Sequence, residues 1–330
     1  MLEFIDIGKK IYDVRKSREA RRYVVFLGRC VFNCGRMARL REFFQQTPLL
    51  AQLAEIYPFV YEQPGRAFFY NKSNFKERAE LVEQHISYLA KILKPEVLLD
   101  IYREKDMVLW QQKAEAGTAK ADAKVQNTGG GKTGDKAAES VREDLKLVLG
   151  FYPGQRKEGL LAVSLLLDNG DGKRHELYQI IFWIRPDANG EMSMWIGAMQ
   201  GPNMEDSKDV IKRITKRCHA YRTKNLILHA AQEVAKALDL KHIYAVTNYG
   251  YYANNHVRVD RKLKTSFSDF WGEAGGTPCE DKRFFSLPME EYRKSMEEVP
   301  TRKRAVYRRR FALMDEIDEA VAASVKDLRQ

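Results

Sequence analysis

MSMWIGAMQGPNMEDSKDVIKRITKRCHAYRTKNLILHAAQEVAKALDLKHIYAVTN, Met192 to Asn248, decides the fold. Met192–Met199 reads as a buried strand, and Gln200-Gly201-Pro202-Asn203 turns the chain. A polar connection and a short helix follow. Asn225–Asp239 is then strongly periodic: Leu226, Ala230, Val234 and Leu238 recur every four residues, and Ile227, Ala231 and Ala235 widen the stripe. His242–Val246 is a second apolar strand. Strand, crossover helix, strand is the parallel βαβ unit.

Upstream of this unit, Leu145–Phe151, Leu160–Leu167 and Leu177–Ile184 are apolar and β-prone. Asn169-Gly170-Asp171-Gly172 lies between the last two as a hairpin signal. Four strands feeding one crossover predict an α+β protein with a mixed, mostly antiparallel sheet, rather than a doubly wound parallel one. The expected organisation is a helical N-terminal region over 1–110, a flexible insertion over 111–144, and a mixed α/β domain over 145–330 ending in a basic helix. The insertion is rich in Ala, Gly, Lys and Thr. Its Gly129-Gly130-Gly131-Lys132-Thr133 imitates the end of a phosphate-binding loop. Gln126 stands where that loop needs glycine, and no apolar strand or helix flanks it, so the nucleotide reading is rejected.

In the N-terminal region, Arg15, Lys16, Arg18, Arg21 and Arg22 precede the apolar Tyr23–Leu27, and Arg29, Arg36, Arg39 and Arg41 follow. This reads as a solvated basic helical face, with an anionic membrane surface as the alternative. Asn74–Leu93 is a helix whose stripe of Leu81, His85, Tyr88, Leu89 and Ile92 makes His85 a core histidine. In the final helix after Pro300, Arg302, Lys303, Arg304, Arg308, Arg309 and Arg310 crowd the first turns, with no acidic residue three or four positions ahead of them. Cations there oppose the helix dipole by roughly a few tenths of a kcal/mol each. The cluster requires either acidic residues elsewhere in the fold or an anionic ligand.

The net charge of +11 implies an anionic partner. Nucleic acid is the weaker choice, because no recognised module accompanies the basic and aromatic residues of His256–Trp271. Cys30, Cys34, Cys218 and Cys279 are too few for a disulfide framework, and no Cys/His pair completes a zinc set, so no metal is assigned. The signatures of serine hydrolases, zinc proteases and dinucleotide enzymes are missing. No run approaches the roughly 20 apolar residues that span a bilayer, and the start lacks the order of a signal peptide, so cytoplasmic residence, soluble or peripheral to the inner membrane, is expected.

The candidate site lies where Tyr221-Arg222-Thr223-Lys224-Asn225 runs into the central helix, whose free N–H groups and positive dipole end suit a pyrophosphate. This segment resembles the cofactor loop of the N-acetyltransferase fold, which holds the pyrophosphate of acyl-CoA. Asn225 and Ile227 stand where that pattern has small residues. On this reading Gln200, Gly201, Arg222, Lys224 and Asn225 bind the cofactor, and His219, His256 and Asn248 supply the chemistry.

Five separated stretches also resemble the VirK/YbjX family of Gram-negative bacteria: Glu83–Leu89, Ile196–Gly201, Thr215–Lys224, Ser268–Trp271 and Pro300–Phe311. The resemblance implies a role in the bacterial envelope, virulence and tolerance of cationic antimicrobial peptides. It carries no catalytic residue, since that family has no settled biochemical activity. Two functions are therefore expected to compete. One is an acyltransferase-like enzyme, and the other a non-enzymatic accessory protein that binds anionic lipid or a partner through its basic helices.

Overall fold

The structure, a computed structural model, describes residues 2–113, 143–202, 204–254 and 266–330. The Gly129–Thr133 motif, His256 and the basic loop after it lie outside the described residues. Six helices come first: α1 (Leu2–Ile11), α2 (Ser17–Phe32), α3 (Cys34–Gln45), α4 (Pro48–Ile56), α5 (Phe75–Ile92) and α6 (Pro95–Tyr102). Local chemistry sets their starts. Thr47 accepts from the Leu50 N–H with Pro48 at the first helical position, and Asn74 with Glu77 forms a reciprocal cap on α5.

The sheet has eight strands in the order β1-β2-β3-β4-β5-β6-β8-β7. They are β1 (Met107–Gln112), β2 (Asp144–Gly150), β3 (Leu161–Asp168), β4 (His175–Pro186), β5 (Met192–Gln200), β6 (Ile243–Val246), β7 (Thr277–Pro278) and β8 (Phe284–Leu287). The first five form an antiparallel meander, β5 and β6 pair in parallel, and β8 returns antiparallel to β6. The α+β class, the mixed sheet and the single crossover are as the sequence predicts. The β3–β4 hairpin turns at Gly170 and Gly172, both with positive φ.

One strand is unexpected. β1 pairs with β2 from the other side of the insertion, so a boundary drawn at 110 falls inside a strand. The crossover runs through α7 (Ser207–Arg217) and α8 (Thr223–Ala237), and α9 (Phe267–Glu273) and α10 (Arg304–Leu328) complete the chain.

β3 buries consecutive residues from Leu161 to Leu167, the pattern of a strand covered on both faces. α5 packs on β4, α8 on β3 and β4, and α10 against α8 and β1. Because α8 has the sheet on one side and α10 on another, every residue from Leu226 to Ala235 is buried, including the polar His229, Gln232 and Glu233. His85 is fully buried on α5, as expected, and its Nδ1 accepts from the Ile184 N–H at 3.0 Å, on β4 beyond its last pairing with β3.

Candidate functional site

The crossover brings together the carboxyl ends of β5 and β6, the place where ligands bind in many α/β sheets. The parallel ladder holds only three pairs, Met194 with Ile243, Trp195 with Tyr244 and Ile196 with Ala245. β5 continues to Gln200 without β6 beside it. Glu158 occupies the opening. Its carboxylate accepts from Gln200 Nε2 at 2.6 Å, at the end of β5, and from Tyr251 OH at 2.7 Å, in the segment after β6. Its backbone lies so close to β5 that a Cβ on Gly197 would sit 1.8 Å from the Glu158 carbonyl oxygen, so only glycine fits there. Burial, with Glu158 adding, pushes the Tyr251 phenol well above its ordinary range. Gln200 also accepts from Gln179 at 3.0 Å, and Gln179 accepts in turn from Gln155. The result is a buried chain of polar side chains tying both strand ends together, with Gln200 as one of its links and Gly201 exposed just beyond.

The start of α8 is built differently from an open anion cradle. Arg222 is its N-cap in extended conformation and no side chain caps the first turn. The charges there are already met from α9: Glu273 lies 3.2 Å from Lys224 and 3.9 Å from the exposed Arg222, and Lys224 sits 4.5 Å over the Phe270 ring. The Asn225 Oδ1 is buried without a hydrogen-bond partner among the described residues. No hydrogen bond or ion pair among the described residues joins Gln200 or Gly201 to Arg222–Asn225.

The other predicted positions are dispersed. Asn248 holds the start of α9: its Oδ1 accepts from the Phe267 N–H at 2.7 Å and its Nδ2 donates to Ser266 Oγ at 3.0 Å. His219 and Ala220 adopt left-handed backbone, and their carbonyls accept from Arg310 at 3.3 and 2.8 Å. Arg310 also lies over the Tyr307 ring, and Arg304 donates to the Val299 carbonyl, so these two members of the C-terminal cluster bind the fold itself. Arg302, Lys303, Arg308 and Arg309 are exposed and form no ion pair among the described residues.

Two further features take their form only from the tertiary structure. The first is the corner between α2 and α3. α2 is apolar on both sides: Phe26 and Cys30 face inward, while Val24, Val31 and Phe32 are 66%, 52% and 90% exposed. Gly28 and Gly35 open onto empty space, and Arg18, Arg21, Arg36 and Arg39 on the same two helices are exposed and form no ion pairs among the described residues. Seven arginines stand against two glutamates on these two helices. The sequence signal was the apolar Tyr23–Leu27 set among arginines, read as a solvated basic face with an anionic membrane surface as the alternative. Which of its residues face inward depends on packing between helices.

The second is a cleft of about 810 Å³ beside α8 and α10, lined by His229, Glu233, Lys236, Glu290, Arg293 and Asp318 among others. His229 and Glu233 stand one turn apart on α8, and Asp318 faces them from α10 with its Oδ1 2.7 Å from His229 Nε2. Burial opposes the charged form of Asp318, yet His229, Arg293 and Lys236 outweigh it and hold the carboxyl below its ordinary range. Asp187, Glu191 and His242 form a second, more exposed group of donors.

The chain belongs to the family described as "Protein of unknown function (DUF535)", whose profile matches residues 15–129 and 135–323. This is the VirK/YbjX family expected from the sequence. It is 30% identical over 246 residues to "Uncharacterized protein YbjX" of Escherichia coli, covering 73% of this chain and 70% of that one. A second relative, an "Uncharacterized protein" of Haemophilus influenzae, is 26% identical over 318 residues, or 95% and 93% of the two chains. "Membrane protein LapB" of Mannheimia haemolytica is 21% identical over 239 residues, covering 72% and 85%. No solved structure matches, so the N-acetyltransferase likeness is shown by no structural neighbour. No helix among the described residues is long and apolar enough to cross a membrane.

Proposed function

We propose that the protein binds the anionic surface of a bacterial membrane peripherally, as an envelope-associated accessory protein, through the corner between α2 and α3. The observation that carries this reading is Phe32, 90% exposed at a helix corner beside Val31 and among arginines without ion pairs to described residues. A folded surface with a solvated basic face has no reason to expose a large aromatic ring there. A lipid interface takes both parts, with the rings and branched side chains entering the headgroup boundary and the guanidinium groups meeting lipid phosphates. Arg302, Lys303, Arg308 and Arg309 offer further unpaired charge. The name of the Mannheimia relative, a membrane protein, agrees with a membrane setting.

Flotation of the full chain on vesicles tests this. Binding to phosphatidylglycerol-containing vesicles that is absent on pure phosphatidylcholine, and that weakens with added salt, is expected. Equal recovery with both vesicle types would overturn it.

A second reading, an acyltransferase-like enzyme taking acyl-CoA, is favoured by the uncapped start of α8 and the unpartnered Asn225 carbonyl. Against it stand Glu273, which already meets Arg222 and Lys224, and Glu158, which fills the opening between β5 and β6. Thermal stabilisation by acetyl-CoA that disappears in Arg222→Ala, Lys224→Ala protein would establish this reading. Absence of any shift would remove it for this site.

A further inference from the structure

We infer that His229, Glu233 and Asp318 form a binding site for a first-row divalent metal ion, opening into the cleft beside α8 and α10. Their donor atoms all lie within 4.8 Å of one another. The spacing is set by regular structure: positions 229 and 233 share a face of α8, and α10 is packed against that face with Asp318 opposite.

Three carboxylate and imidazole groups alone would not argue for a metal, and His229 supplies the second observation. It is 3% exposed, yet neither of its ring nitrogens makes a hydrogen bond among the described residues. Nε2 lies 2.7 Å from Asp318 Oδ1 as an ion-pair contact, and neither atom makes a well-directed hydrogen bond to a described residue. A histidine paired with a carboxylate for stability alone would turn its N–H toward the oxygen. A buried polar group left unbonded costs roughly 1–3 kcal/mol. Donor atoms this close, with none of them hydrogen-bonded to another, lie within reach of one shared ion. Neighbouring ligands stand about 3.0–3.5 Å apart around an ion that is about 2.0–2.2 Å from each, so the 2.7 Å contact needs only a small opening to admit one.

The surroundings supply the rest of such a site. Arg293 donates to Asp318 Oδ2 at 2.8 Å and also bonds Asp315, orienting the carboxylate while leaving Oδ1 for the ion. Lys236 Nζ lies 2.7 Å from Glu233 and 3.6 Å from Glu290, standing in for the cation's charge when no ion is bound. One imidazole with two carboxylates suits zinc or manganese rather than calcium or magnesium, and three protein ligands leave positions open toward the cleft.

Cobalt is the probe, because its spectrum separates nitrogen and oxygen ligands from thiolates. Titrating the full chain with Co²⁺ is expected to give one ion per chain, weak visible bands and no sulfur charge-transfer band. Zn²⁺ and Mn²⁺ should displace it, and millimolar Mg²⁺ should not. His229→Gln, checked for folding by circular dichroism, should weaken binding tenfold or more. Lys236→Met, which removes the competing charge beside Glu233 while keeping all three ligands, should tighten binding several-fold, a response that a merely structural cluster would not give. His242→Ala should leave binding unchanged. The proposal is overturned by failure to bind, by a thiolate spectrum, by full binding in folded His229→Gln protein, or by loss of binding in His242→Ala alone.

Discussion

Replacing Phe32 with serine separates membrane docking from folding. The ring is 90% exposed, so the folded monomer loses almost no packing, and its stability should stay within about 0.5 kcal/mol of the parent. On a membrane the same ring has nearly all of its apolar surface to bury. Full burial of a phenylalanine is worth about 1.5–3 kcal/mol, and about 2 kcal/mol is a fair value for an interface. That corresponds to roughly 30-fold weaker partitioning. Charge contributes separately, at about 1 kcal/mol for each arginine held near an anionic leaflet. Removing Arg21 and Arg36 together should therefore weaken binding as much as Phe32→Ser, but its effect should fade as salt screens the surface while that of Phe32→Ser persists. The assay is vesicle flotation over a lipid titration at two salt concentrations, with thermal unfolding run on the same samples. If Phe32→Ser protein, folded and equally stable, floats like the parent, the corner is not the docking surface and the reasoning fails.

Three further outcomes follow from the interior. Gly197→Ala drives a methyl group into the Glu158 carbonyl, and should destabilise by about 3 kcal/mol or more, read as a lowered denaturant midpoint. Tyr251→Phe leaves the buried Glu158 carboxylate with one donor fewer and should cost about 1–3 kcal/mol, whereas a Glu158→Gln, Tyr251→Phe pair should cost less than the sum of the single changes. Burial lowers the His85 pKa from 6.5 to about 3, so the unfolded chain takes up a proton that the folded one refuses. Stability from this residue is complete above pH 6.5 and is lost as pH falls toward 3, at about 1.4 kcal/mol per unit. Denaturant melts between pH 6 and 4 should show that slope, and His85→Leu protein, weaker at neutral pH for want of the Ile184 contact, should lack it.

Regular structure was legible where local pattern and tertiary burial agree. The four-residue repeat from Leu226 to Leu238 and the turn at Asn169–Gly172 are short-range signals, and both elements stand where they were expected. β1 was not legible, because Met107–Gln112 is too short to show a period and its partner lies beyond the insertion. The site residues were harder for the same reason at longer range. Glu158 gains its meaning from Gln200 and Tyr251, and His229 from Asp318 on a different helix. The repeat in α8 predicted a helix with one covered side, and α10 covers another, which is why polar positions of α8 lie in the interior. Asn248 was correctly placed after the second strand, but its side chain closes a turn into α9.

The packing of α10 also has a consequence for how the molecule is made. The segment after α5 and the residues that end α10 are stitched together: the Lys94 N–H donates to the Leu328 carbonyl, the Gln330 N–H to Ile92, and Leu93 bridges Arg329. Those partners lie more than 230 positions apart along the chain. A ribosome that has produced everything through β8 has therefore made a sheet and an α8 that still lack their outer cover. Closure waits for α10 to emerge, which makes covering the sheet a late step of folding. A nascent chain halted before Arg304 should remain sensitive to protease and attractive to chaperones, however complete its sheet.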